Sequence, residues 1–271
     1  KNLLDYGYKF IGPVNGKMAC GEYGAGKMSS PRQIFIYLKK YFDNKDFVKK
    51  KKINALVTTG PTREYIDPIR YISNESSGKQ GYEIAVALNK LGIKTTLIAG
   101  PSNLIPQKGL KIIEITSANE MLNEVKKSLP VHLAVCAAAV TDFKPAERKK
   151  NKIKKENFNL KSINFIKNND ILEFISKNNT HRPRLVAGFS AETENLTKNS
   201  IDKMKKKHCD LIFANDVSEK GIGFNSDYNK VSVIDKKGNI KIIPKNKKSF
   251  IASKIAEILL EKLFIDDKNI N

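Results

Sequence analysis

The residues best suited to chemistry are concentrated between Thr58 and Gly81, in the string TTGPTREYIDPIRYISNESSGKQG. Its end, Ser76-Ser77-Gly78-Lys79-Gln80-Gly81, runs directly into a helical pattern. Exposed N–H groups and the positive end of the dipole make a helix N-terminus an anion site, and serine hydroxyls add donors. Ser77, Gly78 and Gly81 are therefore candidate anion-binding residues. The glycines qualify because a backbone without Cβ can approach a phosphate closely. Arg63, Arg70 and Lys79 add positive charge to the same stretch. A strand-to-helix loop usually runs about 2–6 residues. This one is several times longer, which favours function over simple connection.

A second group begins at Cys136-Ala137-Ala138-Ala139-Val140-Thr141-Asp142-Phe143. Small residues such as Ala138 and Ala139 let a flat ring or a phosphate lie against backbone. Asp142 is a hard oxygen ligand suited to a magnesium–triphosphate, and it suits a helix N-cap equally well. Lys152-Ile153-Lys154-Lys155 can bring an ammonium to the same anion, or can be solvated surface. Asn168-Asn169-Asp170-Ile171 reads as a turn and N-cap or as part of a site. Gly188-Phe189-Ser190-Ala191-Glu192-Thr193 reads as a strand end feeding a helix. Lys203 and Lys207 lie four apart on that helix and share a face. Two ammonium groups so placed repel unless an anion sits between them; the alternative is a solvated face.

Several other chemistries are disfavoured. The dinucleotide fingerprint G-x-G-x-x-G is absent. Gly21 to Lys27 approaches a P-loop, but Met28 stands where a hydroxyl must reach magnesium. His132, His181 and His208 are isolated, so neither a zinc site nor a Ser-His-Asp hydrolase finds support.

The elements that must position these residues alternate between strand and helix. Strands are expected at Ala55–Thr58, Thr95–Ala99, Leu133–Ala139, Leu185–Phe189 and Leu211–Ala214. Helices are expected at Tyr82–Leu91, from Ser117 to about Ser128, at Ile171–Ser176 and around Ile201 and Met204. Lys230–Asp235 and Ile240–Ile243 flank a hairpin turn, and Ser249–Leu263 is an amphipathic helix. This order predicts an α/β fold: a Rossmann-like, mostly parallel sheet flanked by helices. In such sheets ligands bind beyond the carboxyl ends of the strands. Residues 1–40 are glycine-rich and end in a helix-like stretch, Arg32–Tyr41. Phe42–Lys52 reads as a charged linker, with a new domain starting near Ile53. The expected division is 1–45 and 46–271.

The 271 residues carry a formal charge of +21. A nucleic-acid-binding module is one alternative, but the lysine runs are scattered and lack the aromatic stripe that base stacking uses. An NAD(P)-dependent oxidoreductase is another, disfavoured by the missing fingerprint. No apolar run approaches the ~20 residues of a membrane span, and no secretory pattern opens the chain. Cys20, Cys136 and Cys209 are odd in number and widely spaced, so a reducing, cytoplasmic setting is expected. The chain opens on Lys1 and reads as entering partway through a longer protein.

Taken in order, these strings resemble the phosphopantothenoylcysteine synthetase family, in the form fused in bacteria to phosphopantothenoylcysteine decarboxylase. The resemblance rests on Thr58–Gly81, Ala138–Phe143, Lys152–Lys155, Gly188–Thr193, Ala214–Val217 and Gly223–Asp227. In residues 1–40, Asn15–Glu22 and Gly24–Met28 resemble the mobile substrate clamp near the end of the flavin-dependent decarboxylase. Lys27 stands where that family usually has arginine.

The resemblance implies coenzyme A biosynthesis. A ligase would activate the carboxylate of 4′-phosphopantothenate with CTP and Mg2+, release pyrophosphate and form an acyl-cytidylate. L-cysteine would then give 4′-phosphopantothenoylcysteine and CMP. It implies that Lys152 serves acyl-cytidylate formation, that Asn74 and Arg70 serve its conversion to the amide, and that Cys20 is the proton donor of the decarboxylase. It implies a CTP set of Ala138, Ala139, Asp142, Asn168, Asn169, Asp170, Ile171, Phe189, Lys203 and Lys207, with Asp142 toward the metal. The family commonly has proline or alanine at Asn169, a contact made through backbone. FMN belongs to the decarboxylase half, whose pocket is mostly missing from this chain; the full-length protein would decarboxylate the ligase product to 4′-phosphopantetheine. A ligase homodimer is implied, with β-hairpin dimerisation arms at Asn157–Phe165 and Lys230–Ile243, and a larger homo-oligomer where the decarboxylase is present. Nucleic acid and membrane are not expected partners.

Overall fold

The structure, a computed structural model, describes residues 3, 8–18, 20–154, 163–178, 180–219, 221–223 and 226–268. The chain divides into two compact units, Lys1–Lys50 and Lys51–Asn271. In the first, β1 (Val14–Lys17) and β2 (Tyr23–Lys27) pair as an antiparallel hairpin. α1 (Pro31–Lys51) follows. Ser30 and Gln33 cap it reciprocally: Gln33 N–H donates to Ser30 Oγ at 3.3 Å, and Ser30 N–H donates to Gln33 Oε1 at 2.9 Å. Pro31 stands at the first helical position, where no N–H is needed.

Of Phe42–Lys52, expected as a linker, all but Lys52 belongs to the second half of α1. The stretch holds no glycine or proline, and lysine is a good helix former whose charge stays solvated. The helix ends where Lys52 turns left-handed, at φ 50°.

The second unit opens with β3 (Asn54–Thr59), β4 (Arg63–Tyr65), β5 (Tyr71–Ser73), α2 (Lys79–Lys90), β6 (Lys94–Ala99), β7 (Lys111–Glu114), α3 (Ala118–Ser128) and β8 (Leu133–Cys136). It continues with β9 (Phe143–Pro145), β10 (Phe165–Lys167), α4 (Ile171–Ser176), β11 (Leu185–Glu192), α5 (Leu196–Lys207), β12 (Leu211–Asp216), β13 (Tyr228–Asp235), β14 (Ile240–Lys247) and α6 (Lys248–Lys268). One sheet takes the order β14-β13-β12-β11-β8-β3-β6-β7. From β12 to β7 the pairing is parallel; β13 and β14 close the other edge antiparallel. The mixed α/β fold is the expected one.

Central strands buried on both faces need apolar residues in both registers. Leu56, Ala134, Val186, Ile212 and Ile234 join one core cluster with Met121 and Val125 of α3, Ile171 and Ile175 of α4, and Met204 of α5. α2 and α6 pack together and against the sheet. α6 buries Ile251, Ile255, Leu259 and Leu263, a stripe at four-residue spacing. Ser117 caps α3 by accepting from Glu120 N–H at 3.2 Å, as its S-x-x-E spelling predicts.

Sequence periodicity missed the hairpin β4–β5, the hairpin β9–β10 and the edge strand β7. The first two are built from three-residue strands, too short to show a period of two. Neither belongs to the main sheet. Both sit in the loops that follow β3 and β8.

Candidate active site

Parallel register levels the strand ends. Thr58 pairs with Cys136, and Cys136 with Gly188. The segments that follow β3, β8 and β11 therefore leave the sheet at one carboxyl edge, where ligands bind in open α/β sheets.

The anion loop is built on close packing. Gly78 starts α2 at φ 71° with no side-chain cap. Its carbonyl accepts from Thr59 Oγ1 at 2.6 Å, which ties the helix start to the end of β3. Gly81 lies against the same threonine. A Cβ there would come within 2.4 Å of Thr59 Oγ1 and 2.7 Å of Thr59 Cβ. The first turn of α2 carries no acid, so no side-chain charge there offsets the positive end of the helix dipole.

The nearby cations differ from expectation. Arg63 lies over the Tyr71 ring, 4.7 Å from its centroid. Lys79 pairs with Asp227 at 2.6 Å. Arg70 pairs with Asp67. The positive charge counted from sequence is thus already partnered, which leaves the backbone N–H groups as the loop's candidate donors to an anion. A buried cation was missed: Lys248, at the start of α6, donates to Gly223 O at 2.8 Å. Burial lowers its pKa to about 8, with Lys79 adding to the effect and Asp227 opposing it.

The loop after β3 interlocks with the loop after β8. Asn74 Nδ2 donates to Ala139 O at 3.2 Å and to Val140 O at 3.0 Å. Thr62 Oγ1 and Thr141 Oγ1 are 2.8 Å apart, and Thr141 N–H donates to Thr62 Oγ1 at 3.1 Å. Ser73 Oγ donates to Thr62 O at 2.8 Å. Buried Glu64 accepts from Ala118 N–H at 2.8 Å, joining α3 to the network. Thr62, Glu64 and Thr141 are buried, so each needs its partner.

Arg70 anchors a third tie. Its Nε donates to Asp67 Oδ2 at 2.9 Å, and its Nη2 donates to Ile153 O at 2.8 Å. The Asp67 carboxylate also accepts from the N–H groups of Ile69, Arg70 and Ile153. The Arg70 guanidinium, first, and these N–H groups hold its pKa well below the usual carboxylate range, against the pull of burial. Lys152, next to Ile153, is exposed, and its ammonium has no carboxylate partner among the described residues.

Asn168 joins the loop after β8: its Nδ2 donates to Thr141 O and its N–H to Asp142 O, both at 2.8 Å. Asp170 caps α4 by accepting from Glu173 N–H at 2.8 Å. Lys207 reaches Asp170 Oδ2 at 2.7 Å and Glu173 Oε2 at 3.0 Å. The anion beside Lys207 is therefore supplied by the chain itself. Lys203, half-buried on the same helix, has no ion pair among the described residues. Its charge partly offsets the upward push that burial gives the Cys136 thiol. Phe189 lies against Phe213, with centroids 5.3 Å apart. Asn215 Oδ1, near the end of β12, is buried and accepts no hydrogen bond among the described residues.

Asp142 caps no helix; β9 begins directly after it. Its carboxylate is exposed and without a partner among the described residues. Among the described residues, no group of three or more His, Cys, Asp and Glu could hold a metal. A single free carboxylate is nevertheless what Mg2+ uses when substrate phosphates and water complete its shell. The residue fits that ion. Cys20 stands exposed at the tip of the β1–β2 hairpin, in the other compact unit. Lys155, Asn157 and the rest of the segment before Ile163 lie outside the described residues, as do Ala19 and two residues of the Gly223–Asp227 string.

A mostly parallel α/β sheet, flanked by helices and with interlocked loops at its carboxyl edge, defines the class: a Rossmann-like domain. Residues 50–263 match the family described as the DNA/pantothenate metabolism flavoprotein C-terminal domain, and the chain belongs to that family. It is 42% identical over 258 residues to the coenzyme A biosynthesis bifunctional protein CoaBC of Haemophilus influenzae, covering 95% of this chain and 63% of that one. It is 40% identical over 261 residues to the same-named protein of Borreliella burgdorferi, covering 96% and 65%. The chain thus spans less than two thirds of these relatives. The crystal structure of a CoaBC C-terminal domain superposes with a TM-score of 0.65 at 30% identity, covering 78% of this chain and 95% of that one. Among the described residues, no helix is long and apolar enough to cross a membrane.

Proposed function

We propose that this domain is a phosphopantothenate–cysteine ligase of coenzyme A biosynthesis, driven by CTP. The observation that carries the reading is the interlocking of the segments that follow β3, β8, β9 and β10. Asn74 is bound to the loop after β8, Arg70 to the Lys152 segment, and Asn168 to Asp142. An anion cradle, a nucleotide shelf of Ala138 and Ala139, and a free ammonium are thereby held around one edge.

In the first step the substrate carboxylate oxygen attacks the α-phosphorus of CTP, and the bond to pyrophosphate breaks. Two anions must approach, so charge neutralisation dominates the barrier. Lys152 and Lys203 are cations without carboxylate partners among the described residues, which suits them to that work. Mg2+, held by Asp142 together with the triphosphate, would supply further charge neutralisation. In the second step the cysteine amine attacks the acyl carbon, CMP leaves, and the amine nitrogen loses a proton. Asn74 offers an acceptor: Oδ1 takes no hydrogen bond among the described residues, while Nδ2 is fixed by two carbonyls. It can orient the amine N–H. The cradle at Ser77, Gly78 and Gly81 suits the 4′-phosphate. Holding both reactants in attack geometry can contribute ~7–11 kcal/mol in favourable cases.

The full-length protein would carry a flavin-dependent decarboxylase upstream, with Cys20 as its proton donor. We place the protein in the cytoplasm, as a homodimer through the ligase domain. Ile69, Tyr71, Phe143, Phe165 and Ile166 are exposed on or beside the two small hairpins, an apolar set suited to such contact. Release of CMP with 4′-phosphopantothenate and cysteine tests the ligase reading.

A further inference from the structure

We propose that Asp67 is a positioning residue for the first chemical step, its buried carboxylate acting with Arg70 to dock the Lys152-bearing segment onto the loop after β3. This inference rests on the ligase reading for its kinetic consequence, but its structural part stands alone.

The Asp67 side chain is fully buried. Oδ1 accepts from the N–H groups of Ile69 and Arg70, at 2.9 and 2.8 Å, which shapes its own turn. Oδ2 accepts from Arg70 Nε at 2.9 Å, from Arg70 Nη2, and from Ile153 N–H at 3.2 Å. Arg70 Nη2 then donates to Ile153 O at 2.8 Å. Both backbone polar groups of Ile153 are thus gripped by one ion pair. Two further ties hold the same segment: Lys149 N–H donates to Ile66 O at 2.9 Å, and the Arg148 guanidinium lies 4.8 Å from the Tyr65 ring centroid.

The consequence is electrostatic as well as geometric. Asp67 compensates the charge of Arg70. Docking therefore delivers to this edge the ammonium of Lys152, which has no carboxylate partner among the described residues. A carboxylate is required because its two oxygens meet only donors. An asparagine of the same size turns an NH2 toward N–H groups whichever way it is oriented, and at least one side of the grip is lost.

Asp67→Asn is the test, read in two ways. Hydrogen exchange of residues 148–154 should accelerate about tenfold or more while β3 and β8 stay protected. In quench-flow, acyl-cytidylate formation should slow about tenfold or more in kcat, with KM for CTP within about threefold. Lys152→Ala should show the same loss, and Asp67→Asn/Lys152→Ala should be no slower than Lys152→Ala alone, because the two act as one unit. Exchange within about twofold of the parent, or losses that multiply in the double variant, would overturn the proposal. If Asp67→Asn does not fold, Arg70→Lys keeps the charge beside Asp67 but loses the fork that reaches Ile153 O, and is read against the same thresholds. If the parent releases no CMP, the ligase reading falls, and the exchange result alone decides whether Asp67 docks the segment.

Discussion

Arg70 and Ile153 lie 83 residues apart in sequence, yet Arg70 Nη2 donates to the Ile153 carbonyl at 2.8 Å. Asp67 completes the contact from the other side by accepting the Ile153 N–H. Through this pair, a loop that leaves β3 and a segment that follows β9 become one edge of the site. The contact gives Arg70 a structural task, and under the proposed function it is what brings Lys152 to the reacting groups.

Replacing Asn74 by alanine should separate the two half-reactions. The side chain is exposed, and its hydrogen bonds to Ala139 and Val140 contribute about 1 kcal/mol each at most. The fold should survive. Amide formation should fall about 10²-fold, in the range for a lost polar contact to a transition state. Rapid-quench analysis should show acyl-cytidylate building up while CMP release slows. Unchanged amide formation would remove Asn74 from the mechanism.

Gly81→Ala should damage both stability and substrate binding. The added Cβ meets Thr59 at 2.4 and 2.7 Å, and the helix start must shift. Overpacking of this kind costs about 1–3 kcal/mol, which lowers Tm by about 2–4 °C per kcal/mol for a domain of this size. KM for 4′-phosphopantothenate should rise more than KM for CTP, as the proposed binding of the 4′-phosphate at this helix start requires. Thermal melts and steady-state kinetics on one preparation check both.

Lys203→Ala and Lys207→Ala should differ in kind. Lys203 has no ion pair among the described residues, so its loss should raise KM for CTP about tenfold, roughly 1.4 kcal/mol, and leave Tm unchanged. Lys207 balances Asp170 and Glu173. Its loss leaves two carboxylates facing each other and should lower Tm as well as weaken CTP binding. Equal Tm values for the two variants would contradict this assignment.

Acid should destabilise the domain in a predictable direction. The Asp67 pKa is held down first by Arg70, and the Glu173 pKa is held at about 2, first by Lys177 and then by Lys207. In the unfolded chain both return to about 4. Below that value the unfolded state binds protons that the folded state refuses, so stability present above about pH 4 is lost as pH falls toward the folded values. Tm should drop between pH 5 and pH 2. Asp67→Asn should lower Tm at pH 7 and flatten the slope below pH 5. An unaltered slope would show that Asp67 is not held as an anion.

The site was more legible in the sequence than the contacts that hold it. Ser77, Gly78 and Gly81 could be named as anion-site candidates because residue type and position at a helix start suffice for that. Ala138 and Asp142 follow a predictable strand, and Asn168 lies just before a predictable helix. The partners were not legible. Lys79 meets Asp227 across 148 residues, and Arg70 meets a backbone carbonyl, a group every residue carries. Sequence therefore counted free charges that the fold has already paired. The two small hairpins escaped because three residues cannot display a period, and the linker expected at Phe42–Lys52 proved helical because charge alone does not break a helix.

The most direct test of the central claim is a product balance. The chain is incubated with 4′-phosphopantothenate, L-cysteine, Mg2+ and labelled CTP, with ATP in a parallel reaction. The account predicts CMP, pyrophosphate and 4′-phosphopantothenoylcysteine in equal amounts, with an acyl-cytidylate trapped when cysteine is withheld. A folded protein that releases no CMP under these conditions would contradict it.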